Sequence, residues 1–225
     1  MIEGIISSLI AAAIGWVAAG FYGKKKNSLF RFVRRFKAYN SGLQGYYYSF
    51  PPEENEKTWQ YIKNEFCYLG VSAATIINEL TDFMKTEDGR RIQYNFLLID
   101  PKNEDFILKQ EAYKSGYKEQ DISSLDTTKK EKLYKDVEIT RNNIILAVER
   151  LKNTECKVHV KFFKEFLPWW MYVFDENRIF VGLLEFNKDG RKSPLVILKK
   201  NKEHFTLYDA FETNWRRLWE SAIDA

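Results

Sequence analysis

The sequence predicts an α/β protein: an N-terminal transmembrane helix followed by one three-layer domain with a mixed sheet. Three observations carry this. Gly4 to Tyr22 is 19 residues without a charge. At about 1.5 Å per residue, a helix of that length nearly matches the roughly 30 Å hydrocarbon core of a bilayer. Behind it, strand-like and helix-like segments follow in the order strand, helix, strand, helix, several strands, helix, which suits helices layered on a sheet. Finally, Tyr94-Asn-Phe-Leu-Leu-Ile-Asp100 is a nearly continuous apolar run, the pattern of a strand buried on both faces.

The span ends at Lys24, Lys25 and Lys26, with Phe21 and Tyr22 at the boundary where amphipathic rings settle. A cleavable signal peptide fits poorly, because its basic n-region would have to be Met1-Ile2-Glu3. Basic flanks stay on the cytosolic side, so the following domain is expected in the cytoplasm. Ser7, Ala11, Gly15 and Ala19 recur every four residues and line one stripe of the helix. Small residues so spaced let two backbones approach closely, and a homo-oligomer in the lipid bilayer is expected. Alanine and glycine are also common in membrane spans generally, which is the plainer reading of that stripe.

Residues 1–26 thus read as an anchor, 27–56 as a basic juxtamembrane segment and linker, and 57–225 as the cytosolic domain. The net charge of +4 is unevenly placed: the first 40 residues net +6, which leaves −2 for the rest. Arg31, Arg34 and Arg35 stand among Leu29, Phe32, Val33 and Phe36, so a helix here is amphipathic. Anionic lipid is its expected partner, with nucleic-acid phosphate as the rival.

Within the domain, Asn40 to Glu56 holds Gly42, Gly45, Pro51 and Pro52 and reads as a passage. Trp59 to Asn64 reads as the end of a helix, and Phe66–Gly70 as a short apolar strand. Ser72 is placed to cap the next helix, where Ile76, Ile77, Leu80 and Phe83 have helical spacing. Residues 103–132 are polar and read as partly irregular, with a short helix near Phe106–Tyr113. A long helix over Leu133–Lys152 turns Val137, Ile144, Ile145, Val148 and Leu151 inward. Strands are expected over Lys157–Phe162, Trp169–Phe174, Ile179–Phe186 and Pro194–Lys199, with a turn at Asp175-Glu-Asn177. An aromatic helix from about Tyr208 to Ile223 closes the chain. The two cysteines, Cys67 and Cys156, are expected reduced in a cytosolic domain. Cys156-x-x-His159 lacks a second ligand pair at a usual spacing, so Cys156 is expected buried beside a strand, and no metal or cofactor is expected.

The order Cys67-Tyr-Leu-Gly-Val-Ser72, helix, Phe96-Leu-Leu-Ile-Asp-Pro101 resembles the start of a phospholipase-D-like domain. Asp175 and Gly182 stand at the spacing of that superfamily's His-x-Lys-x4-Asp motif and its following glycine, and the likeness covers roughly residues 57–220. The motif's His and Lys positions here are Pro168 and Trp170, and its later Ser and Asn positions are Leu183 and Glu185. Neither proline nor tryptophan can attack phosphorus or hold phosphate oxygens. The resemblance therefore implies an inactive domain without a catalytic residue, with a membrane-tethered nuclease or lipase of phospholipase-D type as the alternative.

The superfamily's cleft lies beside the motif strand, which implicates Trp170, Tyr172 and Asp175, with Lys157, His159 and Lys161 on a nearby strand face. Aromatic and cationic groups together suit a nucleotide or short oligonucleotide. The run Trp169-Trp-Met-Tyr172 is equally what a core strand looks like. A single span with a degenerate enzyme-like domain resembles the membrane effectors of bacterial anti-phage systems, Hailong-type systems among them. That resemblance implies the bacterial inner membrane and a ligand-controlled oligomer that disrupts or depolarises it. A non-catalytic membrane scaffold is the alternative.

Overall fold

The structure is a computed structural model that describes residues 41–50, 58–187, 190–201 and 205–225. The uncharged span, the basic stretch, and with them Ser7, Ala11, Gly15, Ala19, Arg31, Arg34 and Arg35, lie outside the described residues. Among the described residues, no helix is long and apolar enough to cross a membrane.

Eight strands of the described residues form one mixed sheet in the order β1-β7-β6-β5-β2-β3-β4-β8. The centre is parallel: β2 (Glu65–Gly70), β3 (Gln93–Ile99) and β4 (Lys157–Phe163) run together. β5 (Trp169–Phe174) joins β2 antiparallel, and β6 (Arg178–Leu183) and β7 (Leu195–Lys199) continue antiparallel. β1 (Leu43–Tyr47) and the two-residue β8 (Ile223–Asp224) flank the ends. The passage expected over 40–56 is thus corrected, since it contributes β1, and the compact unit begins at Ser41, not at 57.

Helices cover both faces. Phe66, Tyr94, Phe96 and Tyr172 share one face, which packs under α1 (Ile77–Met84), α3 (Glu104–Lys114) and α4 (Thr127–Lys152). The single turn α2 (Glu87–Arg90) docks there too, where the Tyr94 hydroxyl donates to the Gly89 carbonyl at 2.9 Å. The opposite face lies under α5 (Leu207–Ser221), whose Trp219 carbonyl accepts from Lys161 Nζ at 3.2 Å. Asp209 anchors the start of α5 by accepting from both the amide and the hydroxyl of Thr206, at 2.7 and 2.8 Å.

Several local expectations need correction. Trp59 lies in one 3-10 turn, Thr58–Tyr61, and not at the end of an α-helix. Ser72 caps nothing, because Ala73 takes a left-handed φ of 53° and α1 starts only at Ile77. α4 begins six residues earlier than Leu133, where Asp126 accepts from the Lys129 amide at 2.9 Å. Ile145 faces outward on that helix, one position past the buried Ile144. β6 stops at Leu183 and does not reach Phe186. Cys156 is half-buried, its thiol donating to the Met84 carbonyl at 3.4 Å, while Cys67 is buried.

Candidate functional site

Sheet register decides which candidate residues meet. Tyr172 pairs with Tyr68 and therefore shares a face with Phe66 and Phe96. Trp170 lies two residues earlier on the same face, 4.8 Å from Tyr172 between ring centres. His159 pairs with Asn95, which stands beside Cys67 on the other face. Alternation along β4 puts Lys157 and Lys161 there as well. The expected single cluster of Trp170, Tyr172, Lys157, His159 and Lys161 is corrected: the sheet separates it into two faces.

Asp175 belongs to neither group. Its carboxylate accepts three successive backbone amides at the start of β2, from Lys63 at 2.9 Å, Asn64 at 2.7 Å and Glu65 at 2.9 Å. Asp175 and Glu176 both have positive φ, 49° and 50°, in the turn between β5 and β6. Such turns favour glycine and asparagine, so the three amides and a 2.6 Å pair from Arg216 to Glu176 hold this one in place. The aspartate is a clamp between strands at the edge of the sheet opposite to Trp170.

A cavity of about 430 Å³ opens at the carboxyl ends of β2 and β3. That edge, where parallel strands give way to an antiparallel neighbour, is where open α/β sheets commonly hold ligands. Trp170, Tyr172, Tyr68 and Phe50 make an aromatic wall, and Trp170 Nε1 donates to the Gly190 carbonyl at 3.4 Å. Gly182 permits this placement: it pairs with Trp170 across the strands, and a Cβ there would overlap the indole.

The facing wall is polar and comes from α3 and α4. Glu111 is buried, and its carboxylate accepts from the Thr140 hydroxyl at 2.8 Å and from Lys114 Nζ at 3.2 Å. Gln110 is buried beside it. Sequence reading missed both residues. The one signal available was a Gln-Glu-Ala triplet inside a helix of mixed charge, and that pattern looks like solvated surface.

A second cavity, about 410 Å³, lies under α5 on the other face and contains Glu65, Asn95, His159, Lys161 and Arg216. Asn95 Nδ2 donates to Glu65 Oε1 at 2.7 Å. Burial, and secondarily the Glu176 carboxylate, raises the Glu65 pKa above the ordinary glutamate value. A raised carboxyl pKa lowers folded-state stability as pH rises from the unfolded value through the folded one, and leaves it unaffected below both. Glu65→Gln keeps the acceptor for Asn95 and removes that loss. The variant is expected to melt higher than the parent at pH 7 and at the same temperature below pH 4, read by thermal unfolding across pH.

No protein family and no curated protein sequence matches the chain. Solved structures similar to it include the following two. One is TrmBL2, an archaeal chromatin protein whose structure shows a novel mode of DNA binding. Identity is 14% over 100% of this chain and 69% of that one, with a TM-score of 0.44. The other is Nuc from Salmonella typhimurium, a phospholipase D family member. Identity is 12% over 80% of this chain and 95% of that one, with a TM-score of 0.41. At 12–14% identity, neither similarity assigns a role to a residue here.

Proposed function

We propose that this chain is a membrane effector of anti-phage defence with a non-hydrolytic, phospholipase-D-like sensor domain. A nucleotide or short oligonucleotide occupies the cavity beside Trp170 and controls oligomerisation of the N-terminal span, and so the permeability of the inner membrane. The carrying observation is the cavity's content. Its aromatic wall includes Trp170, at the position the motif reserves for a phosphate-holding lysine, and among the described residues no histidine lines it. Acyl or phosphoryl transfer needs a nucleophile within reach of a base. His159, the strand histidine, faces the second cavity instead.

Aromatic faces that accept a base without breaking a bond suit sensing. The sequence of the first 26 residues supports an output in the membrane, because a span free of ionisable groups acts through packing. Ligand control follows if the ligand has different affinities for the two oligomeric states.

The full chain, reconstituted in liposomes loaded with a self-quenching dye, tests this reading. Homopolymeric tetranucleotides are expected to raise the melting temperature of the protein and to change dye release. Trp170→Ala is expected to weaken both effects by more than tenfold in tetranucleotide concentration. The proposal is overturned if no tetranucleotide alters stability and dye release is the same with and without protein.

A further inference from the structure

Inside the same cavity, two acceptor-bearing side chains, Gln110 and Glu111, stand next to each other on α3. Gln110 is only 4% exposed, and its Oε1 has no hydrogen-bond partner among the described residues. A buried amide oxygen without a partner is costly, and native structures rarely keep one that nothing uses. Beside it stands the Glu111 carboxylate, 3% exposed. An ionised carboxylate offers about four acceptor sites. Thr140 and Lys114 take two of these.

Among the described residues lining the cavity, Lys114 is the only lysine or arginine, and Glu111 already balances its charge. A phosphate entering this pocket would meet a compensated cation and a buried carboxylate, so the phosphate end of a ligand is disfavoured here. A flat ring fits better, stacked against Trp170 and Tyr172 and turning N–H donors toward α3.

We infer that the cavity reads the base of its ligand through an exocyclic amino group, which donates to Gln110 Oε1 and Glu111, while the phosphates stay outside. This rests on the reading of the cavity as a nucleotide site and names the part of the ligand that is recognised. The chemical class is an amino-substituted heterocycle, as opposed to its oxo counterpart. An oxo group would face the carboxylate and the amide oxygen with lone pairs and leave both acceptors unmet. Sites built around a buried hydrogen bond reject the analogue that lacks it more strongly than apolar pockets reject a change of size.

The test uses pairs of ligands that differ in this group. Cytidine and uridine tetranucleotides form one pair, adenosine and inosine tetranucleotides the other. Binding to the full chain in detergent micelles is followed by titration calorimetry. The amino member of each pair is expected to bind about tenfold more tightly, consistent with one well-placed contact to a base edge. In Gln110→Met, which keeps the side-chain volume, the preference is expected to shrink to within about twofold. The ligand pairs on the unaltered chain decide the matter even if that variant does not fold. Binding of both members with equal affinity, or a preference for the oxo member, overturns the inference and leaves the sensor reading standing. Absence of binding by all four tetranucleotides overturns the sensor reading as well.

Discussion

Gly182→Ala is expected to destabilise the domain by about 2 kcal/mol and to close its cavity, the first cost being that of overpacking an occupied site. The added methyl would overlap the Trp170 indole, which lies flat across Gly182 on the neighbouring strand. Main chain cannot give way, because β6 is held on both sides by β5 and β7. The indole must swing instead, and the space open to it is the cavity it lines. Trp170 would also lose its bond to the Gly190 carbonyl. Urea unfolding in detergent micelles reads the stability change, and tetranucleotide titration reads the loss of the site. Adding Trp170→Ala to Gly182→Ala removes the clash, so the pair should be far from additive, with stability recovering toward that of Trp170→Ala alone. Simple additivity would show that the indole does not depend on the glycine.

Asp175→Ala is the second large effect, expected at about 3 kcal/mol. Hydrogen bonds to a charged acceptor are worth about 1.5–3 kcal/mol each, reduced here because water reaches the first two amides. The residue bridges positions more than 100 apart in sequence, from the β5–β6 turn to the first amides of β2. Its loss also removes part of what holds two consecutive residues at positive φ, leaving the Arg216–Glu176 pair. Asp175→Asn separates the contributions. The two amides that share Oδ1 keep an acceptor, while the Lys63 amide meets the new NH2 group. Asparagine tolerates the left-handed region, so about half the loss is expected. Equal melting temperatures for the parent and Asp175→Ala would remove the clamp from the account.

The buried parts of the domain were the legible ones. Residues 94–99 announce a central strand because both faces are covered, and the long helix to Lys152 shows its repeat because one side faces the sheet. β1 escaped because an edge strand needs one partner only, and Leu-Gln-Gly-Tyr-Tyr carries glycine where a strand would carry a branched residue. The candidate site was only partly legible. Trp170 and Tyr172 stand on the wall of the first cavity, and Asp175 is not among its lining residues.

Their grouping with His159 and Lys161 failed for a reason that one strand cannot reveal. Alternation says which residues of a strand share a face. It does not say which face of β4 matches which face of β5, because two further strands lie between them and set the register. Gln110 and Glu111 were invisible for a similar reason, since only the packing of α3 on α4 makes a polar pair buried.

The ladder between β2 and β5 is the seam of this domain. On one side lie the parallel strands, and on the other the antiparallel meander of β5, β6 and β7, with β1 added at its far edge. Four residue pairs join them, Phe66 with Phe174, Cys67 with Val173, Tyr68 with Tyr172 and Leu69 with Met171. The cavity straddles that line, taking Tyr68 from one half and Tyr172 and Trp170 from the other. A molecule seated there works as a staple: it gains its contacts only while the halves stay together, and every opening of the seam must first release it. Amide exchange along β2 and β5 should therefore slow on binding more than exchange at β1 or β8, which turns a pocket into a control on how readily the sheet parts.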